Sequence, residues 1–131
     1  MSSFSLIVNG APYSSQASLS ALHFCRAALS QGHVIDRLFF FQDGVHNASA
    51  LIVPPQDEFH VPQAWQELIQ QHGIDAVVCA ASALKRGILS SDEAARYDKA
   101  AGNLLPGFTI GGLGQLVDAL TRSDRILNFA P

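Results

Sequence analysis

Apolar positions along this chain follow two alternating rhythms: short, nearly continuous runs, and longer stretches with helical spacing. Phe4-Ser5-Leu6-Ile7-Val8 predicts a first strand, ended by the loop Asn9-Gly10-Ala11-Pro12-Tyr13. From Gln16 to Gln31, Ala21, Phe24, Cys25, Ala28 and Leu29 recur on one helix face, and Gly32 stops the pattern. Val34-Ile35-Asp36-Arg37-Leu38-Phe39-Phe40-Phe41 predicts a second strand, whose aromatic half suits a position covered on both sides. The segment Gln42 to Ala48 leaves its carboxyl end, with Asp43-Gly44 as a turn signal. Pro54-Pro55-Gln56-Asp57-Glu58 is a rigid, polar connection. Pro62 suits the first turn of a second helix, with Trp65, Leu68, Ile69 and His72 on one face and Gly73 at the end. His72 is well placed there for the helix dipole.

Ala76-Val77-Val78 is too short for a helix and has the β-branched content of a buried parallel strand. Cys79 stands where that run stops, and Ala80 to Leu84 predict a new helix start. Ser90 and Glu93 have capping-box spacing for a helix from about Ser91 to Ala101, ended by Gly102-Asn103. Phe108-Thr109-Ile110 is a short fourth strand, and Gly111-Gly112-Leu113-Gly114 opens a last helix through about Thr121. That glycine-rich turn lacks both the Walker lysine and the dinucleotide fingerprint, so it reads as tight packing rather than an anion site. Arg125 to Phe129 makes a fifth strand. Strand and helix alternate throughout. The expectation is one α/β domain over residues 1–131, with about five mostly parallel strands and helices on both faces.

Composition adds a surface to this picture. Apolar residues make up 48% of the 131, against 15% charged, more than so small a domain hides internally. Some apolar surface is therefore expected to meet another subunit. The formal net charge of -3, with eight scattered Lys and Arg, offers no basic stripe, so direct nucleic-acid binding is not expected. No run approaches the roughly 18 apolar residues of a membrane span, and the amino terminus lacks a signal-peptide pattern. The expected location is cytoplasmic, with both cysteines reduced. No metal-ligand spacing or cofactor motif is present, so neither is expected.

The candidate chemistry centres on Cys79, at the carboxyl end of a strand, where open α/β sheets gather their reactive groups. The alternative is a buried cysteine acting as a small hydrophobe, and that is how Cys25 reads. A free thiol is about 3% ionised at pH 7. Amides of the predicted helix start are expected to face the Cys79 sulfur, while Lys85 and Arg86 add positive charge. Ser82 and His46 complete the candidates for thiolate support, although His46 reads first as an ordinary loop histidine. A hydrolase needs a base held by a third group, and only His46 is even a candidate. The Cys-x5-Arg loop of tyrosine phosphatases is not matched, because Lys85 holds the sixth position and Arg86 comes one later. A lone reactive cysteine is well suited to accepting sulfur as a persulfide and passing it on.

Several segments, in this order, carry a resemblance: Asn9-Gly10-Ala11-Pro12-Tyr13, Gln16-Ala17-Ser18, Phe39 to Val45, Asp57-Glu58-Phe59, the cysteine segment ending in Leu84-Lys85-Arg86-Gly87, Gly107 to Ile110, Gly112-Leu113-Gly114 and Ser123-Asp124-Arg125. Over nearly its full length the chain resembles the DsrE-like sulfurtransferases, most closely their TusD-like branch. The resemblance implies a parallel α/β fold and a persulfide carried on Cys79. It implies an upstream sulfur-carrier protein, a downstream acceptor protein, and a pathway ending in 2-thiolation of the tRNA wobble uridine. TusB-like and TusC-like subunits are implied as partners in a heterohexamer. A related dissimilatory sulfur-oxidation complex of the DsrEFH kind, and a non-catalytic assembly subunit, are the alternatives. Lys85-Arg86 replaces a common Arg-Arg pair, and Gly111 stands where a serine or other small residue is common, with little expected consequence.

Overall fold

The β-branched and aromatic runs pair into a single sheet in the computed structural model, which describes residues 1–131. The strands are β1 (Ser3–Val8), β2 (Val34–Phe40), β3 (Asp75–Cys79), β4 (Phe108–Gly111) and β5 (Arg125–Phe129). Every pairing is parallel, in the order β4-β3-β2-β1-β5. Parallel neighbours need long crossovers. These are supplied by α1 (Ala17–Ser30), α2 (Val61–His72), α3 (Ala80–Lys85), α4 (Ser91–Arg96) and α5 (Leu113–Arg122). Steps from β1 to β4 run one way across the sheet, and the return to β5 runs the other. Right-handed connections therefore set α5 on the face opposite α1 and α2.

Alternation along the strands divides the core. Leu6, Val8, Leu38, Phe40, Ala76 and Val78 turn to one side, where Leu22 and Cys25 of α1 and Trp65 and Leu68 of α2 cover them. Phe39, Val77 and Cys79 turn to the other, against Phe41 just past β2 and Leu116 of α5. That second face is thin. The Arg37 guanidinium, only 12% exposed, holds α5 there by pairing with Asp75 at 2.6 Å and Asp118 at 3.1 Å. It also donates to the Gln115 carbonyl at 2.7 Å. On its outer side α5 leaves Leu113, Val117 and Leu120 exposed at i, i+4 and i+7.

Three expectations are corrected. The helix predicted for 91–101 keeps its capping box at Ser90 and Glu93 but ends at Arg96. Asp98 takes a left-handed φ of 55°, and the Lys99 amide turns back onto the Ala94 carbonyl at 2.8 Å, which closes the helix early. Residues 42–48 form a 3-10 helix rather than an open turn. Gly44 is needed there because a Cβ would meet the Val8 carbonyl oxygen at 1.9 Å. Gly111 also matters more than expected: a Cβ on it would lie 2.7 Å from Cγ1 of buried Val77.

Candidate active site

Cys79 is the last residue of β3 and the N-cap of α3, where the chain changes from extended to helical. Its Cα pairs with Gly111 across the β3–β4 ladder, so the strand beside it presents no side chain. The residue is 4% exposed, yet it lines an open cleft of about 570 Å³. Phe41 and Gln42 form one wall from the end of β2, and Gly111, Gly112 and Leu113 form the other from the start of α5. The floor is Ala80, Ala81, Ser82, Lys85 and Arg86.

Four of the five predicted site residues thus meet in one cleft: Cys79, Ser82, Lys85 and Arg86. His46 lies on the 3-10 helix, half-buried and outside the lining. The expected amide contacts to sulfur are not made: the Cys79 side chain caps none of the first-turn N–H groups of α3. Its sulfur lies on the α5 side of the sheet, packed with Phe39 and Val77 instead.

The cations divide their work. Arg86 donates from Nε to Asp43 Oδ1 at 2.8 Å and from a terminal nitrogen to the Ser82 carbonyl at 3.2 Å. The hydrogen bond and charge of Arg86, with a smaller push from His46, hold the Asp43 carboxyl below its usual range. Arg86 is therefore a neutralised brace between the 3-10 helix and α3. Lys85 lines the same cleft, exposed, and forms no ion pair. The net positive charge facing the cleft comes from Lys85. Ser82 is buried, and its hydroxyl accepts the backbone N–H of Gln42 at 3.0 Å.

A buried polar relay fixes the wall that carries Gln42. The Trp65 indole donates to Ser18 Oγ at 3.0 Å, which donates to Asn47 Oδ1 at 2.6 Å. The Asn47 amide donates to the carbonyls of Gly10 and Gly44 at 3.0 and 2.9 Å. Gln42 and Leu113 escaped the sequence reading. Their place in the cleft follows from which strands are neighbours, and strand order is not written in any local pattern.

The DsrE/DsrF-like family matches residues 2–129. The chain belongs to this family. Among its DsrE/DsrF-like relatives, the sulfurtransferase TusD homolog of Pseudomonas aeruginosa is 52% identical over 90% of each chain. A protein of Allochromatium vinosum named for the sulfurtransferase DsrE is 49% identical, over 96% of this chain and 97% of its own. The sulfurtransferase TusD of Salmonella newport is 43% identical, over 96% and 98%. The crystal structure of the ychN protein from E. coli superposes with a TM-score of 0.79 at 23% identity, over 98% of this chain and all of that one, a likeness of fold. Sulfur transfer is the activity of the DsrE/DsrF-like relatives and of this chain. The other buried thiol takes no part in the cleft: Cys25 is fully enclosed in the α1 core, and burial pushes its pKa up to about 12.

Proposed function

We propose that this chain is a sulfur-relay subunit that carries a persulfide on Cys79, taking sulfur from an upstream carrier protein and passing it to an acceptor protein. The observation that supports this most directly is the cleft itself. It holds one thiol, an unpaired lysine and no histidine, which fits group carriage better than hydrolysis. In the proposed step the Cys79 thiolate attacks the outer sulfur of a donor persulfide R–S–SH. A new S–S bond forms, the old one breaks, and its electron pair leaves on the donor as R–S⁻. The reverse geometry with a fresh acceptor thiolate discharges the subunit.

The onward route we propose leads to 2-thiolation of the tRNA wobble uridine in the cytoplasm, within a heterohexamer with TusB-like and TusC-like subunits. The exposed apolar stripe of α5, which begins at the cleft with Leu113, is consistent with coverage by such a subunit. The 49% identity to the DsrE-named protein keeps a dissimilatory sulfur-oxidation complex as the second reading. Intact-mass spectrometry after incubation with a cysteine desulfurase, cysteine and the carrier protein tests the central claim. A gain of one sulfur, reversed by reductant and absent in Cys79→Ser, is expected. No gain, with partner subunits still bound, would make this a non-catalytic assembly subunit. Transfer onward to a tRNA-thiolating acceptor, against none, separates the two pathways.

A further inference from the structure

Three non-glycine residues have positive φ in this chain: Tyr13, Gln42 and Asp98. Only Gln42 is in the cleft, at φ 51°. A left-handed glutamine is strained and persists only where its surroundings over-determine it. Here the Ser82 hydroxyl holds its N–H from one side, and the next residue, Asp43, is held by Arg86. Both anchors stand on the segment that follows Cys79. The posture of Gln42 is thus dictated by the helix that carries the nucleophile.

The polar groups of the cleft are mostly occupied. Arg86 is bound to Asp43 and the Ser82 carbonyl, Ser82 Oγ to Gln42 N–H, and Gly112 N–H to Gln115 Oε1 at 2.9 Å. The side-chain carboxamide of Gln42 is exposed and makes no hydrogen bond within the chain. We infer that Gln42 holds the transferred sulfur, its carboxamide N–H donating to the outer sulfur of the incoming persulfide. This rests on the sulfur-carrier reading above. During the exchange, negative charge passes from the Cys79 sulfur through the outer sulfur to the leaving donor sulfur. A neutral donor steadies that charge without trapping the product as an ion pair. The strained backbone then serves to aim the side chain into the cleft.

The test uses the whole chain and cysteine persulfide as donor, with single-turnover sulfur gain at Cys79 followed by mass. Gln42→Gly removes the carboxamide and relieves the left-handed strain, so thermal stability is expected to hold or rise. Gln42→Glu keeps the side-chain length and the backbone posture but replaces the donor with an anion. Both variants are expected to acquire sulfur about tenfold more slowly or worse, Gln42→Glu being the slower. If either variant keeps the wild-type rate, Gln42→Gly above all since it adds no charge, the carboxamide plays no part and the inference is overturned. If the wild-type protein gains no sulfur, the carrier reading fails and this inference falls with it.

Discussion

Two cysteines of one chain differ in fate because of where their sulfurs point. Cys25 was legible as core from its helical spacing, and it is fully buried. Its pKa of about 12, against 9.0 for an unburied thiol, makes stability pH-dependent. A raised acid pKa in the folded state means stability is unaffected below pH 9 and declines as pH rises from there towards 12, since only the unfolded chain ionises. Urea midpoints across pH 8–11 should therefore fall in the wild type and fall less in Cys25→Ala. Iodoacetamide at neutral pH should modify Cys79 in the native protein and Cys25 only after unfolding. Asp43 has the opposite sign. Its lowered pKa adds stability above the ordinary carboxylate range, which is lost as pH falls through the folded value. An acid titration of Asp43→Asn should lack that component. The position of Cys79 at the carboxyl end of a strand was visible because the apolar run stops at it, whereas Lys85 and Arg86 looked equivalent. What separates them is Asp43, a residue 43 positions before Arg86.

At the scale of elements, helices with local punctuation were legible and the segments set by distant contacts were not. Pro62 and Gly73 bracket α2 as expected, Gly73 at a left-handed φ of 62°. The 3-10 helix after β2 has no such signature, because Asn47 and its partners on α1, α2 and the Gly10 loop shape it. Asn47→Ala should leave the Gly10 and Gly44 carbonyls buried without their donor. A loss of about 3 kcal/mol is expected from urea unfolding. The same variant should loosen the wall that carries Gln42 and slow sulfur uptake even at temperatures where it stays folded. The early end of α4 belongs to the same class: two alanines at 100 and 101 favour helix locally, but the left-handed Asp98 has already turned the chain.

For the whole molecule, parallel α/β architecture followed from the alternation of patterns, and the apolar fraction pointed to surface left uncovered. Strand order did not follow from either. One continuous part of the uncovered surface is now specific: Leu113, Val117 and Leu120, each about half exposed along α5, apart from Leu51 and Val53 in the loop before α2. Val117→Glu should leave the unfolding midpoint nearly unchanged, since surface substitutions usually shift stability by less than about 0.5 kcal/mol. Sedimentation velocity with the proposed TusB-like and TusC-like subunits should nevertheless show a weaker complex. Association unaffected by the change would remove α5 from the interface. The Arg37 clamp has a consequence of its own. Because one guanidinium ties α5 to Asp75 on the sheet and to its own Asp118, the helix forms a separately fastened panel over β2 and β3. Native-state hydrogen exchange should find the α5 amides opening together at a lower free energy than those of α1 and α2. Arg37→Ala should widen that gap. The cleft would then breathe at its α5 side while the sheet beneath stays closed, letting the bulky protein-bound persulfide of the proposed relay reach a thiol that is almost hidden at rest.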